Sequence, residues 1–91
     1  MISREYRGYV NCATRAEQEI ILDIFEMLGM TWRQGQNPRG YESAKCPMYY
    51  ALDGDGTFAQ GTTMFKKDGI SASEYRNQWI SLKIKKEKSN D

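Results

Sequence analysis

Apolar and polar positions first separate between residues 5 and 12. There Tyr6, Gly8, Val10 and Cys12 alternate with Glu5, Arg7, Tyr9 and Asn11. A period of two predicts a strand with one inward face, weakened or bulged at Gly8. The pattern then changes period. Thr14-Arg15-Ala16-Glu17 reads as a capping box, and Ala16, Ile20, Ile21, Ile24, Phe25 and Leu28 follow at helical spacing. Glu17, Glu19, Asp23 and Glu26 cover the other side, and Gly29 is placed to stop the helix in a left-handed turn with Met30 folded back onto it. A helix over 15–28 is expected, packed on a sheet.

A short strand is expected at Met30–Trp32, with Met30 and Trp32 inward. From Arg33 to Pro47 the periodicity disappears among Gly, Pro, Gln and Asn, which predicts a long loop. Met48, Tyr50 and Leu52 restore the strand pattern, Asp53-Gly54-Asp55-Gly56 is a turn, and Thr57 to Phe65 reads as the hairpin partner, with a bulge allowed at Gly61. Lys66-Lys67-Asp68-Gly69 is a second turn. A second capping box at Ser71-Ala72-Ser73-Glu74 predicts a short helical turn through Tyr75. Ile80, Leu82 and Ile84 then alternate, which predicts a closing strand over 79–85. The expected architecture is α+β: one amphipathic helix packed on a small, mainly antiparallel sheet, with a short second helical turn. Residues 1–85 form a single domain in this reading, and 86–91 a charged tail.

Composition narrows the function. The chain has 91 residues, room for one core, and its net charge of +1 supplies no global field to draw in nucleic acid or a membrane. It also lacks the large negative surface of an acidic DNA mimic. No apolar run approaches the roughly 20 residues that span a bilayer, and Met1-Ile2-Ser3-Arg4-Glu5-Tyr6 has no signal-peptide core. A cytoplasmic protein is expected, with Cys12 and Cys46 as reduced thiols.

The chemistry-bearing motifs are few. Asp53-Gly54-Asp55-Gly56-Thr57-Phe58 resembles part of a calcium loop, but the first and last ligand positions would be Ala51 and Thr62, so a hairpin turn accounts for it better. Two cysteines and no histidine do not make a structural zinc site. The missing histidine also removes the commonest acid–base group near neutral pH, so no enzyme and no cofactor is expected. The loop after Trp32 has a binding composition. Arg33 and Arg39 suit a phosphate or carboxylate, Gln36 and Asn37 offer neutral donors and acceptors, and Trp32 and Tyr41 offer flat faces for a base. The competing reading is a solvated connection with Trp32 in the core. Lys83, Lys85, Lys86 and Lys88 read as a solvated strand edge ahead of a nucleic-acid patch.

Over Tyr9 to Tyr75 the chain resembles a loose group of small bacteriophage-encoded proteins. The resemblance rests on Thr14-x-x-Glu17 opening a helix, on Gly29-x-x-Trp32-x-x-Gly35 after it, and on Ile70-Ser71-x-x-Glu74-Tyr75. It implies a viral accessory protein, working in the cytoplasm of an infected bacterium, that counters host defence. Such proteins sequester a nucleotide immune signal or block a defence protein. Joined to the loop composition, this gives an expected function. The protein is a non-catalytic, homo-oligomeric binder of a small anionic, nucleotide-derived ligand, using Trp32, Arg33, Gln36, Asn37, Arg39 and Tyr41. The alternative is a protein–protein inhibitor of a host enzyme or defence protein, acting through Tyr41 and Tyr9. A weak nucleic-acid binder is the third reading.

Overall fold

A computed structural model describes residues 5–62 and 66–89 of the chain. The elements run β1 (Arg7–Cys12), α1 (Arg15–Met27), β2 (Thr31–Trp32), a 3-10 turn (Pro38–Gly40), β3 (Met48–Asp53), β4 (Thr57–Thr62), β5 (Ile70–Ser71) and α2 (Ala72–Ser89). The strands form one sheet in the order β2-β4-β3-β1-β5. Its centre is antiparallel, with β3 between β1 and β4. Each outer strand pairs in parallel, β2 with β4 and β5 with β1, so the sheet is mixed rather than mainly antiparallel. The α+β class stands.

Alternation sets the register. Val10, Cys12, Met48, Tyr50, Leu52 and Phe58 all point to one face and are buried there with Trp32. Phe25 of α1 sits at the centre, its ring 4.4 Å from Phe58, 5.4 Å from Tyr50 and 5.9 Å from Tyr75. Neither expected bulge occurs, since Gly8 pairs with Leu52 and Gly61 with Tyr49 in continuous register.

The ends of α1 follow its sequence closely. Thr14 Oγ1 accepts the Glu17 N–H at 3.2 Å, and Glu17 Oε1 reaches back to the Ala13 N–H at 3.0 Å, one residue earlier than a standard capping box. At the other end the Met30 N–H donates to Phe25 O and the Gly29 N–H to Glu26 O, with Gly29 at φ 71°. That pattern is a Schellman stop, open to glycine because a left-handed backbone carries no Cβ penalty there. The buried stripe is rotated from the expected one. Ile21, Ile24 and Phe25 are buried as expected, but Gln18 and Leu22 join them while Ala16 and Ile20 are exposed.

The C-terminal strand expected over 79–85 is a helix instead. α2 begins at Ala72 and runs unbroken to Ser89, past the expected start of the tail, with Ser71 Oγ accepting the Glu74 N–H at 3.1 Å. Ala72, Tyr75 and Trp79 recur at i, i+3 and i+7, and the first two are fully buried. This helical period outweighs the alternation of Ile80, Leu82 and Ile84, and Lys, Glu and Gln favour helix. The terminal lysines therefore do not edge a sheet. No helix among the described residues is long and apolar enough to cross a membrane.

Candidate functional site

The long loop works as part of the helix layer. Gln18, 1% exposed, donates its amide N–H to Ala44 O at 2.7 Å. Gln60 Oε1 accepts the Ala44 N–H at 2.6 Å, and Ser43 Oγ lies 2.7 Å from Tyr50 Oη. Ser43 and Ala44 thus sit on the core side of the sheet beside α1, and Gln18 is buried against Ala44. Trp32 is 4% exposed, with its indole N–H donated to Pro38 O at 3.0 Å and its ring 4.5 Å from Phe58. It is a core residue, and its faces are occupied by protein.

The other expected loop residues do not converge. Tyr41 is exposed, with its ring 5.2 Å from that of Trp32. Gln36 accepts the Trp32 N–H through its backbone oxygen, and Asn37 caps the 3-10 turn without a side-chain hydrogen bond. Arg39 turns back onto α1 and meets Glu19, Asp23 and Glu26 at 2.5, 2.5 and 3.2 Å. Its hydrogen bond holds the Glu19 carboxyl below the ordinary value. Arg33 faces elsewhere and forms a bidentate pair with Asp53, Nε to Oδ2 at 2.8 Å and Nη2 to Oδ1 at 2.6 Å.

The surfaces beside these two arginines differ. Depressions of about 540 and 440 Å³ flank Arg39, the first lined also by Asn37. They are larger, yet Arg39 and Arg15 stand there against the Glu19, Asp23 and Glu26 carboxylates, so the arginine charge is already met within the protein. A smaller depression of about 310 Å³ lies on the sheet face opposite the helices, lined by Arg7, Tyr9, Arg33, Ala51 and Asp53. Two guanidinium groups and one carboxylate line it, and the Asp55 carboxylate of the adjoining turn also acts on Arg33.

This open face is built by the odd-numbered residues of the central strands. Asp53 Oδ2 also accepts from Thr57 Oγ1 at 2.9 Å, and the Arg33 hydrogen bond foremost holds the Asp53 carboxyl below its usual range. Asp55 accepts from the Thr57 N–H and hydroxyl, at 3.0 and 2.6 Å, which lowers its pKa likewise. The two carboxylates share the one Thr57 hydroxyl proton, and each has a further donor, Arg33 for Asp53 and the Thr57 N–H for Asp55. Gly54 and Gly56 take the positive φ that the turn needs. Among the described residues no cluster of three or more metal-ligating side chains exists.

At the other end of the face, Tyr9 and Tyr49 meet edge to face at 5.6 Å, and Lys66 Nζ stands 5.1 and 5.6 Å from their ring centres. Asn11 fixes Lys66 by accepting its N–H at 2.8 Å and donating to its carbonyl at 3.0 Å. Of these residues the sequence pattern singled out Arg33 for an anion and Tyr9 for the outer face of β1. Arg7, Tyr49 and Lys66 were not selected as a group, because only the register of β1 on β3 and the return of the chain at residue 66 bring them together.

No protein-family model, curated protein or solved structure matches the chain.

Proposed function

We propose that the protein is a non-catalytic binding protein that captures an anionic, nucleotide-derived ligand on its open sheet face. The carrying observation is the grouping of Arg7, Arg33 and Tyr9 around one depression. Arg7 offers a guanidinium fork for a phosphate, Arg33 offers the Nη1 side that its bidentate pair with Asp53 leaves unused, and Tyr9 and Tyr49 offer aromatic surface for a base. The shifted titratable groups support binding over catalysis, because they move away from neutrality. The Asp53, Asp55 and Glu19 carboxyls are lowered, while burial pushes the Cys12 thiol up to about 12 and raises Cys46 too. The resemblance to phage accessory proteins supplies the setting, removal of a nucleotide signal of host defence.

Titration calorimetry with cyclic nucleotides and ADP-ribose tests this reading. A ligand of the panel is expected to bind, Arg7→Ala and Arg33→Ala each weakening it at least about tenfold. Arg39→Ala is expected to leave affinity unchanged. Equal affinity in the Arg7 and Arg33 variants would contradict the site. Binding of none of the panel would favour a second reading, a protein partner on the same face. Tyr9, Tyr49, Arg7 and Arg33, all on or beside this face, are residue types that anchor protein interfaces.

A further inference from the structure

The tyrosine end of the open face is built around one lysine. Asn11 holds the Lys66 backbone twice, accepting its N–H and donating to its carbonyl. The same carbonyl accepts the Gly69 N–H at 3.0 Å, which closes the turn that follows. Gly69 lets this turn press against β1, since a Cβ there would stand 2.9 Å from Asn11 Nδ2 and 3.1 Å from Tyr9 Cβ. Lys66 is thus anchored by its backbone, with its ammonium beside the Tyr9 and Tyr49 rings. It makes no ion pair among the described residues.

Tyr9 joins this corner to the Arg7–Arg33 depression, which it also lines. Successive outward residues of a strand stand about 7 Å apart. Along β1, Arg7, Tyr9 and Asn11 therefore mark out a phosphate end, an aromatic wall and the anchor of Lys66 in that order. The two tyrosine rings are at 87° to each other. A base laid flat against one of them turns its edge toward the other ring and the ammonium.

The hydrogen bonding on offer to that edge is one-sided. An ammonium donates and cannot accept. Asn11 Oδ1 already takes the Lys66 N–H, and Oγ of Ser71, the partner of Asn11 on β5, takes the Glu74 N–H. The corner favours a base with acceptors on its edge. Guanine presents O6 and N7 side by side, whereas adenine sets its N6 amino donor beside N7. Granted the open-face reading above, on which this rests, we infer that the ligand is a guanine nucleotide. Lys66 donates to O6 and N7 of the base, and the phosphate lies at Arg7 and Arg33.

Calorimetry with matched pairs, cyclic GMP against cyclic AMP and GDP against ADP, tests this. The guanine member of each pair is expected to bind at least about tenfold tighter. Lys66→Met is expected to remove that preference by weakening the guanine nucleotide and leaving the adenine one unchanged. Lys66→Arg is expected to keep it, because a guanidinium also donates to O6 and N7. Equal affinity for both bases, with dependence on Arg7 and Arg33, would overturn the guanine assignment and leave the open-face reading standing. Equal weakening of both bases by Lys66→Met would overturn it too, making Lys66 a phosphate contact. Binding of neither pair would also overturn it, and the ADP-ribose titration above then decides the open-face reading.

Discussion

At the scale of the residue, the chain shows how neighbours reassign a side chain. Tyr49 lies across β3 and β4 directly over Gly61, and a Cβ added at that glycine would collide with the tyrosine ring. The glycine was legible only as a possible bulge; the aromatic that covers it belongs to the strand register. Gly61→Val is expected to destabilise the fold by about 1–3 kcal/mol, the usual cost of overpacking, and to lift Tyr49 off the open face. Denaturant unfolding checks the first effect and the Tyr49 ring resonances the second. Asp53 is legible as a turn residue, but its guanidinium partner lies twenty positions away. Its folded pKa is depressed below the ordinary 3.8. The stability it contributes is therefore full above that value and is lost as the pH falls through the lower, folded value. Asp53→Asn is expected to flatten the pH dependence of the denaturation midpoint in that acid window. An unaltered slope would show that the Arg33 pair does not shift this carboxyl.

At the scale of the element, α1 and the central hairpin were readable because cap, period and stop agree locally. Thr14, the stripe through Ile24 and Phe25, and Gly29 each point to the same helix. α2 was misread because Ile80, Leu82 and Ile84 alternate, and that signal competes with the helical spacing from Ala72 to Trp79. The long loop was recognised as a loop, but its role was not. Arg39 reaches α1, Ser43 meets Tyr50 of β3, and Ala44 is held by Gln18 of α1 and Gln60 of β4, and no local pattern carries that information. Arg39 is expected to act as a staple between the 3-10 turn and α1, where sequence reasoning made it a ligand contact. Arg39→Ala should lower the melting temperature and speed protease cleavage within 33–47, with ligand binding preserved. A variant that melts and resists protease like the unmodified protein would remove the staple from the account.

At the scale of the whole molecule, the sheet divides the chain into two unlike surfaces. One side holds the core, the helices and the loop, with a groove between α1 and α2 on its outer skin. The other side is an uncovered face, among the described residues, of small, aromatic and basic side chains. The fold class was legible from the sequence, but the site was legible only in part. Arg33, expected as a ligand contact in the loop, stands beside the open face paired with Asp53, while Trp32 was drawn into the core by Phe58 and Pro38. The most direct test of the binding account is a nitrogen-15 correlation spectrum of the protein titrated with ADP-ribose and with cyclic nucleotides. Binding on the open face is expected to shift the amides of Arg7, Tyr9, Arg33, Tyr49 and Ala51, leaving 36–41 and the outer face of α1 unmoved. Shifts confined to the loop around Arg39, or to the α1–α2 groove, would contradict it.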